Sequence, residues 1–172
     1  MKQKPILAWH FVGKTLRDGR PVPKDGELLV FRGTPELCKQ GLHASRLPHQ
    51  ALRYAPGNTL CLVECSGTLR EEADKLVCTE RIIRARMDAT EMLRFYARMQ
   101  ALSVIHLYPN GSDTVVFDYL MTGDEALRAA AWAAAEAETR VAARAAAWAA
   151  AWAAANKEFD ALVFECFENC LK

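Results

Sequence analysis

The chain has 172 residues, 51% of them apolar, with 22 basic against 21 acidic side chains. That apolar share excludes a wholly disordered chain. The near-zero net charge supplies no field to draw in nucleic acid or an anionic membrane, and it is not the acidic surface of a protein that imitates DNA.

Met1-Lys2-Gln3-Lys4-Pro5 leads into an apolar run that stops at Gly13. That run is too short for a secretory signal or a membrane span, so a cytoplasmic protein is expected. Residues 6–12 alternate as a first strand, with Trp9 and Phe11 on one side and His10 on the other. Turn chemistry fills 17–26, with Asp18-Gly19, Pro21, Pro23 and Asp25-Gly26, before a short strand at 28–32. A glycine opens an extended piece at 41–45. Pro48 starts a short helix that runs to Ala55 and is stopped by Pro56-Gly57-Asn58. In residues 59–66, Leu60, Leu62 and Glu64 alternate with Cys61, Val63 and Cys65. Both faces are apolar, which marks a central strand. Residues 75–86 supply one or two more strands. Asp88 and Glu91 have capping-box spacing, and Met92, Leu93, Tyr96, Met99 and Leu102 give a helix toward Leu107 that can cover the sheet. Pro109-Asn110-Gly111 breaks it, and 112–120 forms a short helix ending at Gly123.

From residue 126 to residue 155, nineteen of thirty positions are alanine, which puts helix propensity near its maximum. Thr122 and Glu125 form a second capping box at its start. Val141, Ala145, Trp148, Trp152, Ala155, Phe159, Leu162 and Cys166 alternate spacings of four and three, a heptad seam suited to a facing helix. Helix from 124 to 171 would be roughly 70 Å long at 1.5 Å per residue, so it projects, folds back at Asn156 or docks on a partner. The expected fold is therefore α+β. A small mixed or antiparallel sheet with covering helices occupies 1–121, and a long alanine-rich helix or helical hairpin occupies 122–172. Packing of the tail on its own domain competes with self-association. Alanine buries little area, which favours a partner, a homodimer first.

The six cysteines read as reduced core residues, and the pairs Cys61/Cys65 and Cys166/Cys170 lack the loop setting of a zinc knuckle. No metal or cofactor is expected. His10, His43, His49 and His106 are scattered and read as structural. Arg81, Arg84, Arg86, Arg94 and Arg98 could form a basic patch touching a nucleic-acid backbone, although a solvated face is the more ordinary outcome. Phe31-Arg32-Gly33-Thr34, Gly41-Leu42-His43-Ala44-Ser45, the helix through Tyr54 and the strand from Thr59 together resemble the opening of ADP-ribosyltransferase folds. The resemblance implies Arg32 and Ser45 as holders of a nicotinamide dinucleotide and Glu64 or Glu71 as the carboxylate beside the ribosyl cation. The plainer reading keeps Arg32 at a strand end and Ser45 as a helix cap.

Ala8-Trp9-His10-Phe11-Val12, Leu37 to Ser45, Ala51 to Asn58 and Val104-Ile105-His106-Leu107, with the Ala/Trp/Arg-rich stretch after Ala129, resemble an uncharacterised family of tailed-phage and prophage proteins. That resemblance implies a phage origin and brings no catalytic residues with it. The leading expectation is a non-catalytic phage accessory protein that binds a host protein or ribonucleoprotein, such as an inhibitor of antiviral defence of the anti-CRISPR kind. Trp148, Trp152, Phe159 and Leu162 are its candidate contacts, beside the five arginines. An ADP-ribosyltransferase-like enzyme and a self-assembling structural protein are the alternatives.

Overall fold

The computed structural model describes residues 4–107, 114–138 and 145–171. Two compact units form. Met1–Thr90 joins Phe159–Lys172 in a sheet unit, and Glu91–Glu158 makes a helical unit. The contacts divide at residues 90 and 158. The cause is visible in residues 159–167, whose Phe159, Val163 and Phe167 are buried.

The sheet has five antiparallel strands: β1 (Ile6–Val12), β2 (Leu28–Val30), β3 (Leu42–Ala44), β4 (Thr59–Glu71) and β5 (Leu76–Asp88). β4 lies between β1 and β5, as its two apolar faces require. It runs on to Glu71, past the Ser66 expected from alternation, because Gly67 at φ +77° absorbs a register shift between Ser66 and Leu69. A Cβ at Gly67 would strike Thr79 Oγ1. Residues 76–88 form one strand, not two. β2 and β3 both pair with the far edge of β5. The residue after β3, Ser45, then bridges to Trp9 of β1. Pairing thus curls from β1 through β4, β5 and β3 back toward β1, and the inner face carries Ala8, Val12, Cys61, Val63, Cys65, Leu76, Cys78 and Ile83.

On the outer face, Trp9 meets Phe167 edge-on at 5.0 Å and Phe164 at 5.8 Å. The helix α1 (Pro48–Leu52) is short, and its N-terminal end is capped from far along the chain. Asp160 Oδ1 accepts from the His49 backbone N–H at 2.9 Å, and Asp160 Oδ2 lies 2.7 Å from His49 Nδ1. Within the sheet unit, Phe159, Val163 and Phe167 are buried, and in the other unit α2 (Thr90–Ser103) has no buried residue. Asp88 is the last residue of β5 and accepts from the Thr90 N–H at 2.9 Å, just ahead of the helix it was expected to open.

In the helical unit, α3 (Val115–Thr122) ends at Gly123 with φ +70°, where a Cβ would collide with the Arg98 guanidinium. α4 (Glu125–Glu138) is capped by Asp124, which accepts from the Ala126 N–H at 2.9 Å, rather than by Thr122. Val116, Leu120 and Ala131 form this unit's core. α5 (Ala145–Cys166) passes through Asn156 without a break and is followed by α6 (Glu168–Leu171). Residues 139–144 and the expected break at 109–111 lie outside the described residues. Among the described residues no helix is long and apolar enough to cross a membrane.

Candidate functional site

The bridge between Trp9 and Ser45 is a hydrogen-bonded pair. Trp9 N–H donates to Ser45 O at 2.7 Å, and Ser45 N–H donates to Trp9 O at 2.9 Å. In an antiparallel ladder the next such pair would be Phe11 with His43, two residues along each strand. Among the described residues no backbone bond joins those two. Arg81 reaches the gap instead. From the inner face of β5, opposite Cys65 in register, its Nη1 donates to the His43 carbonyl at 2.6 Å.

The parted strands open a cleft of about 860 Å³, with His10, His43, Ser45, Tyr54, Lys75 and Arg81 among its lining residues. Arg81 is 5% exposed. Burial lowers its pKa, and the thiols Cys65, Cys78 and Cys61 are its favourable electrostatic neighbours. Cys65 and Cys78 hydrogen-bond to each other, which raises Cys65 and lowers Cys78, while burial pushes Cys61 up to about 11. These three thiols are buried and free, whereas Cys38, Cys166 and Cys170, also expected in the core, are exposed. Among the described residues no group of three potential ligands is placed to hold a metal.

His43 has both ring nitrogens occupied. Nε2 accepts from the Cys38 N–H at 3.0 Å, so the ring proton sits on Nδ1, which faces the Gly41 carbonyl at 3.2 Å. Gly41 must be glycine for this turn. Its φ is +110°, and a Cβ would meet Val77 Cγ2 at 2.6 Å and Pro35 Cβ at 3.1 Å. Burial is the main cause holding both imidazoles below their ordinary pKa. Arg81 and His43 add to it at His10, and Arg17, Arg81 and Lys75 add to it at His43.

The sign of the resulting pH dependence follows from linkage. Both histidines bind protons more weakly folded than unfolded, so their contribution to stability is complete above 6.5 and is lost as pH falls from that value toward the folded values. Thermal unfolding should show a melting temperature that declines as pH drops below 6.5, and His10→Asn should remove about half of that slope. Glu71 and Asp88, held low by the hydrogen bonds from Arg46 and Thr90, act in a separate window below 4.5.

The residues singled out from sequence are dispersed. Ser45 lines the cleft and is buried; Arg32 is exposed and outside it. Glu64 is turned to the outer face and bound by Arg84 at 2.6 Å, and Glu71 is bound by Arg46 at 2.6 Å. The arginines form no common patch within either unit. Arg81 is inside, Arg84 holds Glu64, and Arg86 holds Asp25 and donates to the Pro23 carbonyl at 2.6 Å. In the helical unit Arg94 sits 3.0 Å from Glu91, and Arg98 lies over the Phe95 ring at 6.0 Å. Phe159 is buried within the chain, Leu162 is half-buried, and the side chains of Trp148 and Trp152 fall outside the described residues. His10 and His43, which passed as structural in the sequence, stand in the cleft. The signal was present in β1, where alternation puts His10 opposite Trp9 and Phe11.

Comparison with curated proteins returns no match, and comparison with solved structures returns none. Residues 6–95, which contain all five strands and the cleft's walls, match a family described as Domain of unknown function (DUF7666). That is more than half of the chain, which therefore belongs to the DUF7666 family.

Proposed function

We propose that this chain is a binding protein whose recognition site is the cleft between β1 and β3. It would act as a non-catalytic accessory protein of phage origin on a host macromolecule in the bacterial cytoplasm, with an inhibitor of antiviral defence as the leading form. The observation that carries the binding reading is the cleft's carboxylates. Among the described lining residues the only one is Asp18, and it is taken by Arg20 at 2.9 and 2.7 Å. Transfer of an ADP-ribosyl group needs a free carboxylate beside the developing cation, and Glu64 and Glu71 are engaged elsewhere. Ser45 is the residue assigned to the enzyme alternative from sequence that lines the cleft. The tail keeps its place in the same proposal as a long alanine-rich helix or hairpin pairing Trp148 and Trp152 with a second copy of the chain.

Two measurements test the reading. Affinity capture from a bacterial lysate should recover a partner that the rim variant Lys14→Glu/Arg17→Glu loses, both positions being exposed and free of ion pairs among the described residues. Incubation with labelled NAD and the same lysate should label no protein. Label transfer that depends on Ser45 would replace the binding reading with the enzyme one, and capture indifferent to the rim variant would move the recognition site out of the cleft.

A further inference from the structure

A buried guanidinium with no anion facing it is costly, because burial strips its hydration and a hydrogen bond to a neutral group returns only part of the lost energy. Arg81 is in this position. It is 5% exposed, its hydrogen bond goes to a neutral carbonyl, and among the described residues it has no carboxylate partner.

The cleft's other cations divide in two. Arg20 is neutralised by Asp18, Lys39 sits 2.9 Å from Glu36, and Lys75 lies 3.5 Å from Glu72 and 4.0 Å from Asp74. Lys14 and Arg17 line the same cleft and have no acidic partner among the described residues. Lys14, Arg17, Arg81 and His43 all line this one cleft.

We infer that the cleft binds an organic diphosphate, with Arg81 at the floor and Lys14 and Arg17 at the rim neutralising its charge. The inference rests on the reading of the cleft as the recognition site and names what enters it. Three uncompensated cations exceed what one carboxylate or phosphate monoanion can match, whereas a diphosphate carries two to three charges on adjacent groups. Arginine suits the floor because its planar fork still has N–H donors beyond the one given to His43, and phosphate oxygens accept them in pairs. The ligand is larger than inorganic diphosphate. A volume of about 860 Å³ fits a drug-sized molecule, and Leu16, Phe31 and Tyr54 give it apolar walls.

The test is calorimetric titration of the full chain with pyrophosphate, orthophosphate and citrate, which separates a diphosphate from a single phosphate and from a carboxylate of equal charge. Pyrophosphate should bind about tenfold or more tighter than the other two, and Arg81→Gln should weaken it about tenfold or more. Thermal unfolding of Arg81→Gln checks its fold. Should that variant not fold, Lys14→Gln/Arg17→Gln at the exposed rim is expected to lose a similar factor. Failure of all three anions at millimolar concentration overturns the inference. Equal affinity for pyrophosphate and orthophosphate, tighter binding of citrate, or pyrophosphate binding unchanged in both variants overturns it as well. Partner capture that still depends on the rim would then leave the binding reading standing without the diphosphate.

Discussion

Phe159→Ala lowers the unfolding free energy of the sheet unit by about 3–5 kcal/mol, the cost of removing a fully enclosed aromatic ring. The ring is 0% exposed, within a run that also buries Val163 and Phe167. For a unit of this size the melting temperature should fall by at least ~10 °C, read by near-ultraviolet circular dichroism, which is sensitive to the packing of Trp9 against Phe164 and Phe167. Leu162→Ala and Cys166→Ser are the controls. Both residues belong to the heptad seam expected from sequence, yet Leu162 is half-buried and Cys166 exposed. Each should cost less than about half of the Phe159 effect. A larger loss at Leu162 than at Phe159 would mean that the helix is rotated toward a partner, as the heptad seam implied.

Asp160→Ala should cost about 2–3 kcal/mol, adding a lost helix cap to a lost charge-assisted hydrogen bond. Its carboxylate accepts from both the backbone and the ring of His49, and the two side chains are 11% and 21% exposed. His49→Ala alone should cost less, because the His49 backbone N–H can still donate to Asp160. A double-mutant cycle should show strong coupling, with Asp160→Ala/His49→Ala little worse than Asp160→Ala. Additive losses would show that the two groups act independently.

The strands were legible where the signal is local. Alternation in residues 59–66 marked a central strand with Cys61 and Cys65 inside, and glycines punctuated β1 and α3. What local pattern could not supply is anything that depends on register. The three arginines of β5 looked like one patch because they are near in sequence. Strand parity separates Arg81 from Arg84, and a register shift beside Leu62 and Val63 then returns Arg86 to the face of Arg81. The same holds for the cleft. Trp9 and Ser45 meet across 36 positions, and their single bridge leaves Phe11 and His43 apart. In α5 the heptad count followed spacings of four and three. The buried positions Ala155, Phe159, Val163 and Phe167 instead recur every four, a row whose drift of about 40° per step is tolerable over a few turns. Asp160 carries no local signal of its role, because its partner His49 lies 111 residues away.

That separation orders events during synthesis. A ribosome delivers Trp9 about 150 residues before the phenylalanines that cover it, so the strands emerge first with an aromatic surface bare. Contacts this remote close slowly, since a long loop must be gathered before they repay it. A growing chain of this protein should therefore be a ready client for chaperones until residues 159–167 arrive.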